Sequence, residues 1–363
     1  MTIVDAAAVL TPDGWTGPTR VHVADGRIAT LEPVDRVGTE RRLVPGFVDL
    51  QVNGIDDVDV AHARGADWDR LDQLLLAQGV TTWCPTLVTM PLDRYERPLQ
   101  RTAEAMARAD APRPTIAGVH LEGPFLGRSP GAHPRDLIVP VDLDWLASLP
   151  AHVAVVTLAA EQPDAVPATR LLTAAGRLVS IGHTQCSEAE FDACVAAGAR
   201  LTTHLFNGMS GVHHREPGVA VFSMTNPSVS ASLIADGVHV HPRVLHLAAA
   251  ALGADRTVLV TDAVAWRAGS VGDIGMAMRD GAPRLPDGTL AGSAVTMDAA
   301  IRHCTAAGID DVHAFRAAST NPARLLGLHD RGSIEVGRRA DLVGLVDGIT
   351  VEQVWVAGTP TLA

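Results

Sequence analysis

The stretch Ile116-Ala-Gly-Val-His-Leu-Glu-Gly-Pro-Phe125 is an apolar run that stops at a carboxylate and is followed at once by Gly-Pro. An apolar run bounded by turn formers is the pattern of a buried strand, so Glu122 stands where that strand leaves the core. The same figure recurs downstream. Arg177-Leu-Val-Ser-Ile-Gly-His-Thr184 ends in His183, Arg200-Leu-Thr-Thr-His-Leu-Phe-Asn207 delivers His204, and Thr257-Val-Leu-Val-Thr-Asp262 ends in Asp262. Four strand ends offer two imidazoles and two carboxylates. If the strands are parallel, these groups meet at the C-terminal mouth of a barrel, where such folds hold their chemistry.

Around this stretch, apolar strands alternate with helical patterns, which favours a parallel sheet wrapped by helices. Eight strands are expected, at 44–52, 80–88, 116–121, 153–159, 178–182, 201–205, 229–235 and 257–261. Eight is the number of a closed (β/α)8 barrel. Helical periodicity is clearest at 68–78, 92–109, 187–197 and 242–252, and Ser187 followed by Glu190 predicts a capping box. The ends of the chain read differently. Val21-His-Val-Ala-Asp-Gly-Arg-Ile-Ala-Thr30 is a hairpin turning at Asp25-Gly26, and Gly332-Ser-Ile-Glu-Val-Gly337, Ala340-Asp-Leu-Val-Gly-Leu345 and Val351-Glu-Gln-Val-Trp-Val-Ala-Gly358 are short strands with Gly turns. The expected division is a small β-sandwich from residues 1–43 plus 332–363 and a catalytic barrel over 44–331. Two irregular loops, 126–140 after Glu122 and 266–290 after the eighth strand, lie where barrel loops carry function.

The chain of 363 residues carries 29 Lys and Arg against 41 Asp and Glu, net −12, with no extended basic cluster, which disfavours a nucleic-acid role. No apolar run approaches the ~20 residues that span a bilayer, so no membrane partner is expected. The N-terminal stretch lacks the basic region of a signal peptide. Cys84, Cys186, Cys194 and Cys304 show no C-x-x-C spacing and read as buried thiols of a cytoplasmic protein.

One carboxylate and two imidazoles make a metal site with a fourth position open to water, which separates a hydrolytic site from a structural one. Glu122, His183 and His204 are far apart in sequence, and their shared place at strand ends is what groups them. Asp262 reads equally as a helix cap, a structural hydrogen-bond acceptor or a base. Beside an activated water it would accept a proton and return it to a leaving group. His133 in the irregular loop and His239 just past a strand both stand where an imidazole can reach a bound substrate.

Seven strings occur in order: Pro45-Gly-Phe-Val-Asp-Leu-Gln-Val-Asn-Gly54, His120-Leu-Glu-Gly-Pro-Phe125, Gly182-His-Thr184, Thr203-His-Leu-Phe-Asn-Gly-Met209, Arg215-Glu-Pro-Gly218, Asp236-Gly-Val-His239 and Thr261-Asp-Ala263. With the terminal Gly337…Ala340-Asp-Leu-Val343 signature, the chain resembles the N-acetylglucosamine-6-phosphate deacetylase family of the amidohydrolase superfamily nearly end to end. That resemblance implies hydrolysis of the acetamide of N-acetylglucosamine 6-phosphate to glucosamine 6-phosphate and acetate. It implies Glu122, His183 and His204 as metal ligands, Asp262 as acid and base, and His133 as the group steadying the oxyanion. It further implies a sugar-phosphate pocket of Ala132, His133, Asn207, Gly208, Arg215, Asp236, Gly237, Val238, His239, Leu290, Ala291 and Gly292.

Most amidohydrolases carry His-x-His after the first strand for a second metal, and this sequence has Gln51-Val-Asn53 there. Neutral amides are poor transition-metal ligands, so one divalent metal per subunit is expected, zinc first, with iron, manganese or cobalt suiting the same ligands. Family members resemble homodimers in which the arginine matching Arg215 reaches the partner's active site. Two rival readings remain: an amidohydrolase for another N-acyl amino sugar or a cyclic amide, and a non-catalytic scaffold of the same fold.

Overall fold

In a computed structural model that describes residues 2–108 and 111–361, eight parallel strands follow one another around a single sheet in sequence order. They are β1 (Phe47–Val52), β2 (Val80–Val88), β3 (Val119–Glu122), β4 (Val153–Leu158), β5 (Leu178–Ile181), β6 (Leu201–Thr202), β7 (Ser230–Leu233) and β8 (Thr257–Leu259). The ring closes where the Asp262 N–H donates to the Gln51 carbonyl at 2.9 Å and the Asn53 N–H to the Ala263 carbonyl at 2.8 Å. Each strand is buried along almost its whole length, as expected where helices cover the outside and side chains fill the inside. The (β/α)8 barrel read from the sequence is therefore present.

At least one helix follows each strand: α1 (Ala66–Leu76), α2 (Glu96–Met106), α3 (Leu143–Ser148), α4 (Ala165–Ala174), α5 (Glu188–Ala197), α6 (Val219–Thr225), α7 (Pro242–Leu252) and, after the eighth strand, α8 (Met297–Ala306) with two more, α9 (Asp311–Ala318) and α10 (Thr320–Leu325). The capping box at α5 forms, with the Ser187 side chain accepting from Glu190 N–H and the Glu190 carboxylate accepting from Ser187 N–H. It ties down two of the orphan donors at the helix start. The helix expected over 92–109 is instead a 3-10 turn, Leu92–Arg94, followed by α2; Ala109 lies outside the described residues.

The chain ends form two further sheets. Thr2–Ala6, Thr19–Ala24 and Arg27–Pro33 make one, turning at Asp25 and Gly26 with φ of 51° and 74°, the positive values a two-residue hairpin demands. Arg42–Pro45 joins Leu342–Val346, Thr350–Val356 and Thr359–Thr361 in the other. Val4, Val21, Val23 and Ile28 of the first sheet meet Leu43, Leu342 and Trp355 of the second in one apolar cluster, so the two sheets pack as a sandwich. The run expected as a single strand over 44–52 is split at Gly46, whose N–H donates to the Asp341 carbonyl. A Cβ there would collide with the Thr81 side chain, so glycine lets the chain pass from the sandwich into β1.

Candidate active site

The strand-end groups converge. Oε1 of Glu122 lies 3.3 Å from Nε2 of His183 and 3.0 Å from Nε2 of His204, and the two nitrogens are 3.1 Å apart. Donor atoms about 2.0–2.1 Å from a tetrahedral zinc are about 3.3–3.4 Å from one another, so this triangle has the size of one face of such a site. Two imidazole nitrogens that close cannot both turn lone pairs toward each other without a proton or cation between them. His183 donates its other ring nitrogen to the Ser129 carbonyl at 3.1 Å, which leaves Nε2 as the free ligand atom. Nδ1 of His204 is buried without a partner. His133 also enters the cluster, its Nε2 at 3.7 Å from Oε2 of Glu122, and ligand atoms of Glu122, His133 and His183 fall within 4.8 Å of one another. The shorter triangle with His204 fits a metal better, because its edges match the tetrahedral spacing.

His183, His204 and Asp262 have φ of 49°, 30° and 48°. Left-handed backbone at a non-glycine residue costs about 1–3 kcal/mol and persists where surrounding structure enforces it. Here it turns the chain away from the strand direction at three of the residues gathered at the barrel mouth. Gly208, φ 57°, lies against His183, and a Cβ on it would sit 2.7 Å from the Nδ1 atom; only glycine permits that close approach.

The second carboxylate is held by the two amides at the end of β1. Nε2 of Gln51 donates to Oε1 of Glu122 at 2.8 Å and to Oδ1 of Asp262 at 3.0 Å, and Nδ2 of Asn53 donates to the same Oδ1 at 2.7 Å. Gln51 and Asn53 thus serve as donors between carboxylates, and among the described residues none donates to Oδ2 of Asp262. Burial first, then the charge of Glu122, pushes the Asp262 carboxyl up to about 7; a divalent cation beside it would pull it down again. Burial also disfavours the Glu122 carboxylate, but hydrogen bonds from His183 and His204 outweigh it and hold that group well below the usual range.

His133 has a defined tautomer. The Thr89 backbone N–H, which can only donate, points to Nδ1 at 3.4 Å, with the Thr89 hydroxyl at 2.8 Å. The ring hydrogen therefore sits on Nε2, facing the cluster. Burial first, then the neighbouring His183 imidazole, pushes its pKa down to about 3, so it is a neutral donor.

These groups line one cavity of about 380 Å³. Ala132, Asn207, Gly208, His239, Leu290, Ala291 and Gly292 lie in its wall with Asn53 and the metal-type cluster. Asp236 stands behind the wall. Its Oδ2 accepts from Nδ1 of His239 at 2.7 Å, and its Oδ1 accepts the backbone N–H groups of Val238 and His239, so it aims the imidazole. Gly237 and Val238 form that turn, outside the wall. Arg215 is exposed on a loop, 2.8 Å from Nε2 of His214, and does not line this cavity. Val271, Ile274, Arg284 and Thr289 do line it and were missed. The glycine-rich character of 266–290 marked the loop, but no periodicity singled out these side chains.

The family model described as the amidohydrolase family matches residues 42–361, and that of the N-terminal domain of formimidoylglutamate deiminase HutF matches residues 1–42. An N-acetylgalactosamine-6-phosphate deacetylase of Escherichia coli O157:H7 is 36% identical, covering 98% of either chain. The N-acetylglucosamine-6-phosphate deacetylase of Bos taurus is 35% identical over 98% of this chain and 93% of its own. The crystal structure of the Thermotoga maritima N-acetylglucosamine-6-phosphate deacetylase superposes with TM-score 0.92 at 30% identity over 99% of both chains. A mutant of the Mycobacterium smegmatis enzyme in complex with N-acetyl-D-glucosamine-6-phosphate gives 0.93 at 30% identity over 100% of this chain and 99% of its own. A match of that extent, over a barrel whose mouth gathers these groups, means that the chain belongs to the amidohydrolase family, in its branch of amino-sugar-6-phosphate deacetylases.

Proposed function

We propose that this chain hydrolyses the acetamide of N-acetyl-D-glucosamine 6-phosphate, releasing acetate and D-glucosamine 6-phosphate. The observation that carries this reading is one cavity in which a metal-fitting triangle, a carboxylate with one free oxygen and a neutral N–H donor face each other. Glu122, His183 and His204 would hold one divalent cation, zinc before iron, manganese or cobalt. When bound, that cation supplies Lewis-acid polarisation of the amide carbonyl and makes a neighbouring water more acidic.

The remaining steps belong to the chain's own side chains. Gln51 and Asn53 fix Oδ1 of Asp262, so Oδ2 is aimed at the water, takes its proton during attack and then gives it to the departing amine. Nε2–H of His133 holds the oxygen that becomes negative, the kind of preorganised donor that usually contributes most. His239, aimed by Asp236, and the backbone at Asn207 and Gly208 grip the sugar. We further infer a homodimer in which Arg215 reaches the partner's cavity, and a division into a small unit from the two chain ends and a barrel, the first passage falling at Gly46 rather than between 43 and 44. Four buried free cysteines support a cytoplasmic setting, and among the described residues no helix is long and apolar enough to cross a membrane.

A second reading, N-acetylgalactosamine 6-phosphate, is favoured by the 36% identical relative of that name. The two sugars differ only at C4. Acetate release measured on both with the metal-loaded protein decides between them by the ratio of kcat/KM, and no release from either would overturn the deacetylase reading.

A further inference from the structure

The loop that closes the cavity carries a charge the steps above do not use. Strands Ala277–Arg279 and Ala282–Arg284 pair as a hairpin, and Arg284 stands half-buried in the cavity wall with Thr289 and Leu290. Of its five N–H groups, one at Nη1 donates to the Gly288 carbonyl at 2.8 Å within its own turn. Nε is sealed from solvent and donates to nothing. No carboxylate of the described residues pairs with this guanidinium.

A half-buried cation without a counter-charge, beside a sealed N–H without an acceptor, is costly to keep. An anion on the cavity side would supply the missing counter-charge. The layout of the cavity agrees, because its floor gathers Glu122, His183, His204 and Asp262, the groups that would act on the amide. A ligand with a neutral amide at one end and an anion at the other is thus oriented, amide toward the floor and anion toward Arg284. Phosphate oxygens are the chemistry that a forked, always-charged guanidinium matches best.

We propose that Arg284 is a specificity-determining residue that binds the phosphate end of the substrate from within the same subunit. The proposal rests on the amino-sugar-phosphate reading above. It differs from the expected role of Arg215, which is exposed and assigned to the partner's cavity.

The test compares wild type, Arg284→Ala, Arg284→Gln and Arg284→Lys on N-acetylglucosamine 6-phosphate and on unphosphorylated N-acetylglucosamine. Loss of a charge-assisted contact predicts about a 10- to 100-fold rise in KM for the phosphorylated sugar, with a loss on the unphosphorylated sugar at least tenfold smaller. Arg284→Gln keeps a neutral N–H donor but has no charge, so it should fail like Arg284→Ala, while Arg284→Lys recovers part of the difference. Equal losses on both sugars, or rescue by Gln, would mean that Arg284 only holds the hairpin. Titration of glucosamine 6-phosphate into each protein keeps this question apart from the reaction. If wild type releases no acetate but binds glucosamine 6-phosphate in an Arg284-dependent way, the function fails and the site stands. Binding that is absent, or indifferent to Arg284, overturns the site. Mixed dimers of Arg284→Ala and Asp262→Asn subunits should show no activity beyond that of the Arg284→Ala parent, since each cavity keeps one lesion; recovery would refute the same-subunit assignment.

Discussion

Replacing Asp262 by Asn should stop turnover while leaving the molecule intact. Oδ1 of Asp262 accepts from Gln51 at 3.0 Å and from Asn53 at 2.7 Å, and an asparagine that keeps its carbonyl oxygen at that position keeps both contacts. The backbone on either side is held independently, by the Asp262 N–H to the Gln51 carbonyl and the Ser293 N–H to the Asp262 carbonyl, each 2.9 Å. What is lost is the free oxygen that takes and returns a proton. General acid–base assistance is worth about 10²–10⁴ in rate, and one carboxylate performing both transfers puts the loss near the upper end. A loss of about 10⁴ in kcat is about 5.5 kcal/mol of barrier. The assay is acetate release under saturating substrate, with a thermal melt and a substrate titration on the same preparation. The variant should melt no lower than wild type, since a buried carboxylate is removed, and should bind substrate within a few-fold. Retention of a tenth of the activity would refute the role of Asp262 as acid and base. Parallel collapse of stability and activity would instead mark it as a structural acceptor.

Two further outcomes follow from the same geometry. Asp49 is fully buried, accepts from the Thr261 hydroxyl at 2.6 Å and from the Gln51 N–H at 3.1 Å, and burial pushes its carboxyl up from 3.8 to about 7. The folded chain therefore holds that proton more tightly than the unfolded one, so this group's contribution is full below pH about 4 and is lost as pH rises to 7, about 4 kcal/mol in all. Asp49→Asn should flatten the fall in melting temperature between those limits; an unchanged pH profile would show that Asp49 does not titrate there. Arg215→Ala subunits, inactive on the phosphorylated sugar, should regain activity when mixed with Asp262→Asn subunits under exchange, and mixed dimers that form yet stay inactive would place Arg215 outside the partner's site.

Much of this site could be read before any coordinates, because its parts are discontinuities in strong patterns. Glu122, His183, His204 and Asp262 each interrupt an apolar run, and an uncompensated polar group at the end of a buried strand is conspicuous. Ser187 and Asp25-Gly26 were equally legible, since capping and hairpin chemistry are local. The passage from sandwich to barrel at Gly46 was not, because the apolar run from Leu43 to Val48 crosses it without a polar break and two sheets share one string. Nor could spacing reveal that Gln51 and Asn53 clamp Asp262, which depends on the ring closing through Val52 and Ala263. Arg284 escaped notice for the plainest reason: an arginine in a glycine-rich loop looks like solvated surface until a cavity is found beneath it.

The most direct test of the account measures metal content and acetate release together, on protein stripped with chelator and titrated back with zinc, iron, manganese or cobalt. Activity on an N-acetyl amino sugar 6-phosphate should rise linearly to one equivalent per chain and then stop, and His204→Ala should neither retain the metal nor recover. Full activity in metal-free protein, or a rise that continues to two equivalents, would contradict a single metal held by Glu122, His183 and His204.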